Sequence, residues 1–306
     1  MNWVDARDRL RIVLRSTTSP SQGWRAAAID PDRALVRRGL APFLHVLLAV
    51  DDVDRMVFVS RGQLEEWGRE PDEVWSLASS NVDPTDGLEK MGSLWRLKSA
   101  DGYEASRLAV RGWLGAFSGR VQGQAIAVVP HARLLLVGGD DDAAELLELA
   151  MQGWETAGNP ISPCAYTLLD GQLLPWMPAP NHPSHKAAMR AMKRLAHREY
   201  EEQRRLLEDV TDDVLARVGL LEGDGGNLFT VSSWTEGTQP LLPIADLVVM
   251  HPADGTELWV PFRSIGSCCR TLLSAHAGLE PVRVRATGWP DAATWEKLRE
   301  VSVEGM

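Results

Sequence analysis

HKAAMRAMKRLAHREYEEQRRLLEDVTDDVLARV, residues 185–218, is the stretch that decides how the chain is organised. No Gly or Pro interrupts it. Met189, Met192, Ala196, Tyr200, Gln203, Leu207, Val210, Val214 and Val218 follow one another in steps of three and four. That spacing predicts a long amphipathic helix over 185–218 with one narrow apolar seam. A proline-rich hinge precedes it (Pro175, Pro178, Pro180, Pro183), and strand-like segments lie on both sides. The expected class is therefore α+β: mixed, largely antiparallel sheets, packed helices and one long central amphipathic helix. The expected division is an N-terminal α+β domain over 1–178, then the helix and a smaller α+β unit over 179–306.

The charges of this helix run against its dipole. Lys186, Arg190, Lys193, Arg194 and Arg198 crowd the N-terminal half. Glu199, Glu201, Glu202, Glu208, Asp209, Asp212 and Asp213 dominate the other half, opposed by Arg204 and Arg205. A helix favours acids at its start and bases at its end, and each exposed misplaced charge costs about 0.3–1 kcal/mol. Such a pattern calls for compensation. An acidic segment of the same chain, such as Asp140–Asp142, could lie over the basic half. A second, antiparallel copy of the helix would do the same in a C2 homodimer. The third reading is two helices with solvated charges, broken near Thr211.

With 306 residues, 44% hydrophobic and 24% charged, the composition is that of a folded protein. A formal net charge of −10 excludes a general nucleic-acid binder, which needs surplus Lys and Arg to displace counterions. No apolar run reaches the roughly 18–20 residues that span a bilayer, so no membrane partner is expected. The N-terminus carries no signal-peptide pattern, and a cytoplasmic location is the expectation. Cys164, Cys268 and Cys269 make no disulfide framework and read as inert thiols. The 12 Trp read as core and domain-edge residues; an aromatic binding surface is the sharper alternative.

Outward from the helix, most segments read clearly. Residues 2–16 suit a surface helix, Thr17–Gly23 a turn, and Asp30-Pro31 the start of a short helix ending near Gly39. Phe43–Val50 and Met56–Val59 read as a strand pair. Ser60 and Gln63 have capping-box spacing before a helix ending at Gly68, and Pro71 opens another. Asp101-Gly102, Asp170-Gly171 and Asp254-Gly255 read as hairpin turns, the first pairing Leu94–Lys98 with Glu104–Val110. Gln124–Val129 and Arg133–Val137 read as strands. Gly138-Gly139 and Asp140–Asp142 then lead a helix through Trp154. Three aspartates there would repel a phosphate, so a capped helix is expected. Further on, Leu221–Asn227 is a turn, and Leu228–Trp234, Ala245–Met250 and Glu257–Phe262 are strands. Ile265–Ala277 reads as a helix holding both vicinal cysteines, Pro281–Ala286 as an exposed or edge strand, and Asp291–Val301 as a last helix.

Several of these features carry a resemblance. Val57-Phe58-Val59 is followed by Leu64, Trp67-Gly68 and the helix Glu73–Asn81. Then come Ala125-Ile126-Ala127-Val128-Val129-Pro130, Leu134-Leu135-Leu136-Val137, Ser162-Pro163 with Tyr166, and Pro175. From about Phe43 to Pro178 this order resembles the YtpQ-like family of bacterial proteins of unknown function. The resemblance implies a small, soluble bacterial protein, and transfers no activity and no residue role.

No catalytic, cofactor-binding or metal-ligating residue is singled out by motif. There is no Walker A loop, Gly-x-Gly-x-x-Gly, Gly-x-Ser-x-Gly, His-Glu-x-x-His or Cys-x-x-Cys. His182 and His185 are the one metal-like pair. His197 stands about 18 Å further along the helix and cannot share an ion with His185. The expected function is non-catalytic: a protein-interaction or regulatory module that binds another protein or itself through the 185–218 helix. The alternative is a hydrolase-type enzyme in which His182 or His185 works with a distant acid, with or without a metal.

Overall fold

The computed structural model describes residues 1–21, 30–52, 55–99, 101–276 and 278–303. The chain is α+β, and its contacts divide it into two units, Met1–Met192 and Lys193–Met306.

The first unit holds two antiparallel sheets. One is built on β3 (Leu44–Asp52), which pairs with β1 (Leu10–Ser16), β2 (Arg37–Ala41) and β4 (Arg55–Phe58). The β3–β4 pair is the one the apolar runs predict. Two of its partners correct the sequence reading. Residues 2–16 form a helix only over Trp3–Ala6 (α1). From Leu10 the alternation of Leu10, Ile12 and Leu14 with Arg11, Val13 and Arg15 governs, and β1 becomes a buried strand. After a 3₁₀ turn at Pro31–Arg33, the chain enters β2 where a helix was expected, because it can bond the edge of β3. The turn expected over Thr17–Gly23 runs into residues 22–29, outside the described residues.

Two helices follow. In α2 (Arg61–Trp67) the Ser60 hydroxyl accepts from the Gln63 N–H, and Gly68 closes the helix at φ +60°. Pro71 opens α3 (Pro71–Ser80) at its first turn.

The second sheet has the order β10-β9-β7-β8-β6-β5, antiparallel throughout. Its strands are β5 (Leu88–Met91), β6 (Leu94–Leu97), β7 (Ala125–His131), β8 (Leu134–Gly139), β9 (Ala165–Leu169) and β10 (Gln172–Pro175). Asp170 (φ 50°) and Gly171 (φ 76°) make the expected tight turn between β9 and β10. Helix α4 (Ala143–Thr156) packs on β7 and β8. Gly153 lets it come close, since a Cβ there would stand 3.1 Å from Pro130.

The Asp101-Gly102 hairpin does not form. Glu104–Ala109 is a 3₁₀ helix, because Arg107 is fully buried and its fork closes on Asp101 at 2.8 and 2.7 Å. Its Nε donates to Asp83 O. A buried guanidinium needs such partners, and they fold the segment back on itself.

The second unit has a four-stranded sheet, β11-β12-β14-β15, and a three-stranded one, β13-β17-β16. The strands are β11 (Gly219–Glu222), β12 (Leu228–Thr235), β13 (Leu241–Pro243), β14 (Leu247–His251), β15 (Leu258–Pro261), β16 (Leu273–Ala275) and β17 (Arg283–Ala286). Only β12 and β14 pair in parallel among these strands. The core gathers Trp234, Leu242, Val248, Met250, Val260, Ile265, Ala286 and Leu298. Helix α6 (Phe262–Cys268), which follows the long helix α5 (His185–Leu207) in the chain, is shorter than expected: a 3₁₀ turn and β16 take over from Arg270. Ala277 lies outside the described residues. Asp291 caps α7 (Ala292–Glu300) as expected, accepting from the Thr294 N–H. β17 is a correction: it is the middle strand of its sheet, and Arg283 on it is fully buried.

The eleven described tryptophans are all buried or half-buried. Trp234 meets Trp289 edge-to-face and Trp289 packs at a tilt against Trp295, with centroids 5.4 and 5.5 Å apart. The core reading of Trp accounts for them.

Candidate functional site

The long helix is α5, His185–Leu207, 23 residues or about 35 Å. It stops eleven residues short of the expected Val218, and the reason is local. The Val210 and Thr211 N–H groups both turn back to Leu207 O, and Thr211 Oγ1 accepts from the Asp213 N–H. Such side-chain bonds compete with the helix. Beyond them the chain is captured by an isolated bridge to β13. Leu215 bridges Leu241 in parallel, Leu241 N donates to Val214 O, and Ala216 N donates to Leu241 O. Val210 and Val214, assigned to the seam, are exposed, while Val218 is buried off the helix.

The buried face of the helix comprises Ala188, Ala191, Leu195, Ala196, Glu199, Tyr200, Gln203 and Leu206. It is wider than the expected seam and displaced by one position at several turns, with Met189 and Met192 half-buried. Its polar members have a reason to be inside. Tyr200 Oη donates to Val282 O at 2.8 Å and accepts from Ile244 N at 3.2 Å. Burial raises its pKa, while the Ile244 bond and the Arg283 charge oppose that rise. Gln203 Nε2 donates to Pro281 O, and its Oε1 accepts from Arg283 Nε at 2.7 Å. Arg283 then donates to Ala216 O, Leu241 O and Tyr200 O at 2.7, 3.0 and 3.0 Å. Its guanidinium stands 5.3 Å from the Tyr200 ring centroid. Burial pulls the Arg283 pKa down to about 10, so it stays charged at neutral pH. Sequence reading missed this residue, because the Val-Arg alternation of 282–285 suggests arginines turned to solvent. The available signal was Gln203: an amide on an apolar seam needs a buried partner.

The adverse charges are handled in place. Lys193 forms an ion pair with Asp246, whose other oxygen accepts from Thr230 N and Oγ1 at 2.8 Å. Thus Asp246, not the Asp140–Asp142 segment, answers one of the misplaced bases. Asp140 accepts from Gln124 N instead, and Asp142 from Ser93 Oγ and Gly139 N. In the acidic half, Arg204 bonds Glu201 and Glu208, and Arg205 bonds Glu202. Glu201 also accepts from Val218 N. Just past the helix, Arg285 grips Asp213 with two bonds of 2.8 Å and holds its carboxyl below the usual range; His276 Nε2 lies 3.7 Å away.

On the outer surface, Lys186, Arg190 and Arg198 are exposed and Arg194 is half-exposed. They recur every four residues, so they make one basic row up the helix. Arg205, Glu208 and Asp209 continue the exposed surface with mixed sign.

The histidines of the hinge serve the helix start. His182 Nδ1 accepts from Ser184 N, and its ring meets Trp176 edge-on at 5.3 Å. His185 Nδ1 bonds Pro178 O at 2.8 Å. Among the described residues, no three His, Cys, Asp or Glu side chains stand close enough together to hold a metal ion. Burial pushes Cys164 up to about 12 and Cys269 up to about 11, which disfavours the thiolate a nucleophile needs. Among the described residues, no helix is long and apolar enough to cross a membrane.

No family model matches this chain, and no curated protein or solved structure does.

Proposed function

We propose that this chain is a non-catalytic protein-interaction or regulatory module that works by binding another protein or a second copy of itself through α5. The carrying observation is the basic row Lys186, Arg190, Arg194 and Arg198 on the outer surface of the helix. An anionic protein surface laid along the row gains steered association. Ile244 (50% exposed) and Val282 (44% exposed) add apolar area where their backbones meet the Tyr200 hydroxyl.

Sedimentation velocity at low and high salt tests the self-binding form. The expected result is a dimer at low salt that dissociates as salt rises, and that Arg190→Glu with Arg198→Glu abolishes. A monomer at every salt and protein concentration removes self-association. If affinity capture on the charge-reversed variant then retains the same proteins as the native chain, the helix is not the binding element.

A further inference from the structure

Helix α4 carries a surface that complements the basic row of α5. From Gly138 to Thr156 the chain contains no Lys, Arg or His. Asp141, in the 3₁₀ turn that leads into α4, is followed by Glu145, Glu148, Gln152 and Glu155 in steps of four and three, and all five are exposed. That spacing sets them along one side of the helix, opposite the buried Leu146, Leu147, Ala150 and Trp154. The helix dipole accounts for acids at the start, Asp141 and Glu145. It does not account for Glu155 in the last turn, where a base is favoured and none is present.

Several other acids on helices are answered within the chain. Asp72 pairs with Arg38, Glu73 with Arg69, and Glu201, Glu202 and Glu208 with Arg204 and Arg205. Asp141, Glu145 and Glu148 differ: among the described residues their side chains form no hydrogen bond and no ion pair. The first half of α5 is the mirror case. From His185 to Arg198 it contains no Asp or Glu, and Lys186, Arg190 and Arg198 are exposed. The lengths agree as well. Glu145 to Glu155 spans about 15 Å of helix, and Lys186 to Arg198 about 18 Å.

We infer that the anionic surface that meets α5 is α4 of a second copy of this chain, with Glu145, Glu148 and Glu155 set against Lys186, Arg190 and Arg198. The inference rests on the self-binding form of the function proposed above and names its contact surface. A second copy is the occupant because it brings a helix face of one sign, of matching length and opposite charge, at the concentration of the chain itself. Exposed ion pairs are individually weak, and a row of them steers encounter more than it holds the partners together. The complex is therefore short-lived and sensitive to salt.

Sedimentation velocity of the full chain at low salt tests the pairing. The native chain should associate, and Glu145→Lys with Glu148→Lys should weaken that association by about tenfold or more. Glu145→Gln with Glu148→Gln, which removes the charge without reversing it, should act in the same direction by a smaller factor. Arg190→Glu with Arg198→Glu should weaken association as the lysine variant does. All four positions are exposed, and circular dichroism checks that each variant is folded. An equimolar mixture of the lysine and glutamate variants should associate again, because the first keeps a native α5 and the second a native α4. An α4 variant that associates at native strength, or a mixture that stays monomeric while the native chain associates, overturns the inference and leaves α5 to pair with another surface. A native chain that is monomeric at every salt and protein concentration overturns it together with the self-binding reading.

Discussion

Arg283 and Gln203 form one polar unit inside the second half of the chain, and its energetics follow from what each removal would strand. Gln203→Leu leaves Arg283 Nε and Pro281 O without their partners. A buried group stranded in this way costs about 1–3 kcal/mol. Arg283→Ala strands the Gln203 amide oxygen and removes the donor shared by three carbonyls, and a cost of about 1–3 kcal/mol is expected for each acceptor left without another partner. Urea denaturation with an unchanged slope measures both. The double variant should cost less than the two single costs added together, since the residues share one network. Asp213 gives a residue-scale pH signature. Its folded pKa is depressed by Arg285, so its contribution is present above the unfolded value near 4 and is lost as pH falls through the lower folded value. Urea midpoints between about pH 6 and 2.5 should therefore drop more steeply for the native chain than for Arg285→Gln. Equal slopes would show that the Asp213–Arg285 fork adds nothing to stability.

At the scale of elements, capping and periodicity were legible and competition between elements was not. Ser60 before α2, Pro71 before α3 and Asp291 before α7 announce helix starts by chemistry that acts within four residues. Ser60→Ala should accordingly cost about 1 kcal/mol of stability, read from the thermal or urea midpoint. The misreadings share a different origin. β1 and β2 are strands because β3 lies between them, and residues 214–216 are extended because β13 offers a free edge. The segment 104–109 curls because Arg107 needs Asp101 and Asp83. Each outcome depends on a partner remote in sequence, which local propensity cannot report. The same holds for the site: the charge row of α5 can be read from spacing alone, whereas the Arg283 cluster requires knowing that β17 comes to lie beside Gln203 and Tyr200.

For the whole molecule, the charge distribution sets the expected behaviour in solution. A chain of formal net charge −10 that carries a basic row on one helix is bipolar. The self-association proposed for α5 should be strongest at low ionic strength and should weaken as the Debye length shrinks from about 10 Å at 0.1 M salt toward about 3 Å at 1 M. Light scattering across that range should show the apparent mass falling toward that of the monomer. A mass that rises with salt would point instead to Ile244, Val282 and other exposed apolar groups as the associating surface.

The Arg283 knot also bears on the order of events in folding. Its bonds join segments 83, 80, 67 and 42 residues away along the chain. The guanidinium can shed its water only after α5, the segment around Ala216 and β13 have all arrived, so these bonds belong to the last step. In stopped-flow kinetics, Gln203→Leu should therefore leave the refolding rate nearly unaltered and accelerate unfolding, placing its φ-value near zero. The knot acts as a latch on the native state, lengthening its lifetime without guiding the chain there.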